Sequence, residues 1–112
     1  MRIAIICPVR GGTPQLVENY VVSMEEAGHS VYFPPRDTPQ GDSTGYDICL
    51  RMAQAIRLAD EVHVWFDPTS KGTLWDLGGA FILGKPMKLI NDPPDIEAKS
   101  YLKVVKEIAQ HS

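Results

Sequence analysis

No stretch of this chain is apolar for long enough to cross a membrane, and none is an expected anchor. The run nearest the start, Ile3-Ala4-Ile5-Ile6-Cys7, ends at Pro8-Val9-Arg10-Gly11-Gly12 with no small-residue cleavage site behind it. It reads as a buried strand rather than a signal peptide. Cysteine is scarce. Cys7 and Cys49 are too few for a disulfide framework, so reduced thiols in a cytoplasmic protein are expected. Charge of one sign is lacking too: 11 Lys and Arg against 14 Asp and Glu leave a net charge of −3, with both signs interspersed. Without a basic face, nucleic acid is not an expected partner.

Several chemistries lack their motifs. Gly11-Gly12 has no third glycine at dinucleotide spacing, and no Gly-Lys is followed by Ser or Thr as a Walker loop requires. A small α/β phosphatase would need an arginine where Thr13 stands after Cys7, so Cys7 reads as a small buried residue. His29, His63 and His111 are dispersed, with no second ligand at metal spacing, and His63 alternates with Val62 and Val64 as a structural histidine would. No Ser/Thr-rich cradle suggests a flavin. No metal and no cofactor are therefore expected.

What is present is ordinary globular composition, 44% hydrophobic and 22% charged over 112 residues, which suits a single domain spanning 1–112. Strand and helix periods alternate without a linker or repeat. Ile3–Cys7 reads as a strand covered on both faces. Pro14–Ala27 has helical spacing at Leu16, Val17, Tyr20, Val21, Met24 and Ala27, with Thr13 as N-cap and Gly28 as the stop. Ser30–Phe33 is a second strand, ended by Pro34-Pro35. Arg36–Gly45 is a loop long enough to suggest function. A helix over Tyr46–Leu58 buries Ile48, Met52, Ala55, Ile56 and Ala59, and Val62–Phe66 is the third strand.

Asp67–Gly72 is a loop, Leu74–Leu83 a helix stopped by Gly84, and Met87–Ile90 the fourth strand. Lys99–Ala109 closes the series, a helix buried through Tyr101, Val104, Val105 and Ile108. The order predicts an α/β, doubly wound, Rossmann/flavodoxin-like parallel sheet of four, possibly five, strands with helices on both faces. Ligands of such sheets bind beyond the carboxyl ends of the strands. That points to the loops Pro8–Thr13, Asp67–Thr73 and Asn91–Pro94.

Two readings of the first loop stand side by side. Gly11 and Gly12 let backbone approach a ligand and Arg10 adds a fixed charge, which suits an anion; a tight turn with a solvated arginine fits equally. The richer stretch runs from Trp65 to Ala80, then Gly84-Lys85-Pro86. Ala-Asp before a strand, Asp-x-x-Ser-x-Gly-Thr from Asp67, aromatic-acid-Leu-Gly-x-Ala from Trp75, and Gly-Lys-Pro together resemble the nucleoside 2-deoxyribosyltransferase family. They are similar as well to its relatives, the 2′-deoxynucleoside 5′-phosphate N-hydrolases, whose first loop is like Arg10-Gly11-Gly12.

The resemblance implies a pocket for a nucleoside or nucleotide and cleavage of its N-glycosidic bond, by hydrolysis or deoxyribosyl transfer. It implies that Asp76 stands where the family has a glutamate acting at the anomeric carbon. One methylene shorter, it sets its oxygens about 1 Å back. Ser70, helped by Gly72, falls where the N-hydrolases hold phosphate; Asp67 and Trp75 belong to the same binding set. Family members complete their sites across a subunit interface, which implies a homodimer.

Other readings remain open at these positions. Thr73-Leu74-Trp75-Asp76 has capping-box spacing, so Asp76 could serve as a cap. Trp75 could be core, and Gly78-Gly79 could allow close packing or close ligand approach. The family's second acid, eight residues before Asp60, is Met52 here; the nearest acid upstream is Asp47, a possible second acid or simply a residue favoured in a helix's first turn. The alternative function is a catalytically silent sensor or interaction protein that kept the pocket and lost the acid pair.

Overall fold

A computed structural model describes all residues 1–112. It contains β1 (Arg2–Ile6), α1 (Gln15–Glu26), β2 (Ser30–Tyr32), α2 (Pro34–Asp37), α3 (Tyr46–Leu58), β3 (Glu61–Val64), α4 (Lys71–Ile82), β4 (Met87–Leu89) and α5 (Tyr101–Gln110). The four strands form one parallel sheet in the order β2-β1-β3-β4. Strand order reverses between β1 and β3, so the crevice beyond their carboxyl ends is the switch point where such sheets take ligands.

The sequence accounts for the two-sided burial. Ile3, Ala4, Ile5 and Ile6 are all buried because β1 is central and covered on both faces. Ala4, Ile6, Val62, Val64 and Met87 face a core completed by α3, α4 and α5 through Met52, Ile56, Leu77, Ala80, Leu102 and Val105. The opposite face, with Ile3, Ile5, Cys7 and Val31, packs on Val17 and Val21 of α1. Buried His63 lies between the Tyr20 hydroxyl and the Glu61 carboxylate, the latter 2.8 Å from Nε2, so both ring nitrogens have partners. Asp60 explains the Ala-Asp pair: it accepts from the Arg2 amide at 2.7 Å while its own amide donates to the Arg2 carbonyl, aligning β3 with β1.

Some local expectations need correction. Thr13 is not the N-cap of α1; its hydroxyl donates to the Pro8 carbonyl at 2.9 Å, closing the first loop, and Pro14 takes the cap position. Leu16 and Ala27 are exposed, leaving the inward stripe to Val17, Tyr20, Val21 and Met24. The Arg36–Gly45 segment begins inside a helical turn, α2, where the Asp37 carboxylate accepts the Phe33 amide. In α5 the stripe is displaced: Leu102 and Val105 are buried while Tyr101 and Val104 are exposed. Ser100 caps that helix through the Lys103 amide, and α5 covers the edge strand β4 with one flank left open.

Candidate functional site

The first turn of α4 sets the geometry. Ser70 is the N-cap and its hydroxyl oxygen accepts the Thr73 amide at 3.2 Å, so the helix starts at Lys71, three residues earlier than expected. This removes the capping-box reading of Thr73 and Asp76. Thr73 is buried inside the first turn, and Asp76 lies a full turn further on with its carboxylate turned toward the sheet edge.

A cavity of about 500 Å³ opens there, between the loops after β1 and β3 and the start of α3. It is lined by Cys7, Arg10, Asp67, Ser70, Lys71, Gly72, Trp75 and Asp76, and also by Thr38, Gln40, Cys49 and Met52. The electrostatics are unusual at Asp76. Burial alone pushes its pKa up to about 7, with neither a cation nor a hydrogen-bond donor to answer it. The Cys7 thiol beside it is pushed up to about 12 by burial and by the Asp76 charge, so it stays protonated and unreactive. Asp67 is the opposite case. Its Oδ1 accepts from the Thr69 hydroxyl at 2.7 Å and the Thr69 amide at 2.8 Å, which holds it below the usual carboxylate range and commits it to the loop.

The cavity also gathers positive potential. Arg10 and Lys71 line it with no carboxylate within ion-pairing distance of either, in contrast with Arg36, Arg51 and Lys103, which are all paired. The opening amides of α4 at Lys71 and Gly72 precede any intrahelical acceptor and add to the field.

Several expected site residues lie elsewhere. Gly11 and Gly12 are not among the cavity residues; both have positive φ, and the Gly12 amide donates to the Val9 carbonyl at 3.2 Å, so they shape a turn. Asp47 is outside as well, on the solvent side of α3, where it pairs with Arg51 at 2.8 Å. Met52 fills the inward position. The Asn91–Pro94 loop does not reach the cavity; the Asn91 side chain instead brackets Phe66, accepting its amide at 2.8 Å and donating to its carbonyl at 2.9 Å. Gly78 and Gly79 approach nothing within the chain. Lys85 of Gly-Lys-Pro donates to the carbonyls of Arg57 and Ala59, sealing the end of α3.

Thr38, Gln40 and Cys49 were not legible as site residues; the only signal was the length of the 36–45 loop. No group of three or more His, Cys, Asp or Glu side chains is placed to share a metal ion, and no helix is long and apolar enough to cross a membrane.

A four-stranded parallel sheet with a switch-point cavity defines an α/β protein of the Rossmann/flavodoxin-like kind. Two solved structures share this fold. A 2-deoxyribosyltransferase from Bacillus psychrosaccharolyticus matches with a TM-score of 0.66 and 22% identity, over 80% of this chain and 71% of that one. A CMP N-glycosidase from Clostridium botulinum matches with a TM-score of 0.57 and 22% identity, over 80% of this chain and 67% of that one. No protein-family model and no curated protein matches the chain. At this identity the likeness establishes the fold, and the fold is the one the motif resemblance implies.

Proposed function

We propose that the cavity binds a nucleoside or nucleotide and that Asp76 acts at the anomeric carbon as the N-glycosidic bond breaks. The observation that carries this reading is a carboxylate with no partner in the chain, facing a cavity at the switch point. Such a group suits an oxocarbenium-like centre, which supplies the missing positive charge. As the bond from C1′ to the base nitrogen breaks, the electron pair leaves with the base and the carboxylate bonds to or stabilises C1′. Water then completes hydrolysis, or a second base completes transfer. Arg10, Lys71, Ser70 and the α4 amides favour a ligand carrying phosphate. The names of the two structural neighbours, one a deoxyribosyltransferase and the other an N-glycosidase of a nucleoside monophosphate, support the same class of ligand.

A second reading, binding without turnover, rests on the missing proton donor. Asp67 is held ionised, Asp47 lies outside and Met52 occupies the inward position on α3. One experiment separates the two: nucleosides and their 5′-monophosphates are incubated with the protein, binding is followed by thermal shift, and free base by chromatography. Release by the wild type, lost in Asp76→Asn with binding retained, is the expected outcome. Binding without release selects the second reading, and no binding removes both.

A further inference from the structure

The cavity offers a carboxylate for the sugar and cations for a phosphate, but nothing suited to protonate a departing base. Purine and pyrimidine bases leave C1′ as anions unless a proton reaches them, and the acid for that step works best with a pKa near the operating pH. No His, Glu or Tyr lines the cavity. Its two carboxylates are Asp76, which must be ionised to act on C1′, and Asp67, which accepts from Thr69 and is held ionised. Asp47 turns away to Arg51, and Met52 takes the inward position on α3. The remaining ionisable groups are the thiols of Cys7 and Cys49, the Lys71 ammonium and the Arg10 guanidinium, types that ordinarily hold their protons above neutral pH. The wall contributed by α3 and the segment before it is otherwise neutral. Thr38 is buried, with its hydroxyl bonded to the Tyr32 phenol, and Gln40 Nε2 donates to the Thr38 carbonyl at 2.9 Å, which leaves Oε1 as an acceptor.

We propose that the substrate of this cavity is an N-ribosyl pyridinium 5′-phosphate, a nucleotide whose base is already a cation and leaves as a neutral molecule. The inference rests on the role given to Asp76 above and narrows its ligand. A pyridinium needs no proton. As the bond from C1′ to the ring nitrogen breaks, its electron pair stays on that nitrogen and cancels the positive charge, so the pyridine departs neutral. The cationic C1′ passes to the Asp76 carboxylate, water adds to it, and one proton of that water goes to solvent. Water is the only co-reactant. The carboxylate that no cation in the chain answers thus meets a ligand carrying its positive charge at the bond to be cleaved. Trp75 and Met52 present an indole and a thioether to a flat cationic ring, and Gln40 Oε1 suits the amide of a ring carboxamide. Arg10, Lys71 and Ser70 take the 5′-phosphate. A volume of about 500 Å³ is in the range that holds one mononucleotide.

The probe is nicotinamide mononucleotide, incubated with the full chain beside its dihydro form, CMP and AMP, with free base followed by chromatography. Nicotinamide is expected to appear at least about 100-fold faster than cytosine or adenine, the usual worth of a general acid that the cavity does not supply. The dihydro form has nearly the same shape but a neutral ring, and it should bind and release nothing. Turnover of the mononucleotide should also acidify a weakly buffered solution, because the proton of the added water is set free, whereas hydrolysis of CMP or AMP is proton-neutral. Asp76→Asn should lose nicotinamide release while thermal shift still reports binding; if that variant does not fold, the dihydro comparison carries the test without it. Base release from CMP or AMP as fast as from the mononucleotide overturns the pyridinium assignment and leaves the role of Asp76 standing. Release from the dihydro form, or binding of the mononucleotide without release, overturns it as well. No binding of any of the four nucleotides overturns the pyridinium assignment and the nucleotide reading together.

Discussion

Two hollows flank the first turn of α4, share Trp75 and Lys71, and differ in nearly every other respect. The cavity beyond β1 and β3 gathers unpaired charge: Arg10, Lys71 and the lone carboxylate of Asp76. The groove between α4 and α5 gathers unpaired apolar surface. By contrast, Arg36 pairs with Glu25 and Asp37, Lys103 pairs with Asp95, and the isoleucines of β1 are buried. The difference teaches what each region awaits. Unanswered charge in a concave site fits a small polar ligand, and unanswered apolar area on a flat helix face fits another protein surface.

The largest expected effect belongs to the cavity. If Asp76 acts on the sugar, Asp76→Asn lowers base release by about 10³-fold or more, leaving the oligomeric state unchanged. The wild-type rate should climb with pH through about 7, because the carboxylate must be ionised to act and burial holds its pKa there. A rate independent of pH between 5 and 8 would remove Asp76 from the reacting atoms.

The same residue makes a prediction for stability, with the sign following from the raised pKa. Between its ordinary value of 3.8 and about 7, the folded state keeps a proton that the unfolded chain has released. Stability from this group is therefore full below about pH 4, falls as pH rises to about 7, and is flat above. Asp76→Asn should gain roughly 2 kcal/mol at pH 8, after discounting for water in the open cavity, and almost nothing at pH 4. Urea titrations at the two pH values measure it; an equal effect at both would mean that burial does not raise the pKa.

How much of this was legible beforehand depends on what kind of signal each feature leaves. The parallel sheet and its switch point follow from alternating apolar periods, and every strand lies where the periods placed it, give or take a residue or two. Asp76 was visible through a motif, but its partnerless state was not, because capping-box spacing at Thr73 offered it a partner that Ser70 forecloses. Asp47 misled for a related reason. Proximity in sequence put an acid near the site, whereas the phase of α3 turns it to solvent and gives Met52 the inward position. The α5 stripe slipped because Tyr101 and Val104 are apolar without being buried, and a periodicity argument cannot separate core from interface.

Within the cavity, Arg10→Ala should weaken binding of a nucleoside monophosphate about tenfold and flatten its salt dependence, since an unpaired guanidinium near a phosphate acts mainly through charge. A nucleoside without phosphate should lose much less. Equal losses for both ligands would mean that Arg10 shapes the loop and does not meet the anion.

The smallest effect sharpens the contrast between the hollows. Gly78 sits inside α4 with open space where a Cβ would stand, so Gly78→Ala meets no clash within one copy. Alanine restricts the unfolded chain and favours the helix, and the isolated fold should gain about 0.5–1 kcal/mol. If the homodimer that the motif resemblance implies packs α4 closely on a second α4, the added methyl falls between the helices and association weakens, although each copy is more stable. Opposite signs for folding and association, measured by denaturation at high dilution and by sedimentation, are the expected pattern. A Gly78→Ala chain that is both more stable and equally dimeric would place the glycines outside the contact. A chain less stable as a monomer would show that Gly78 serves the fold itself.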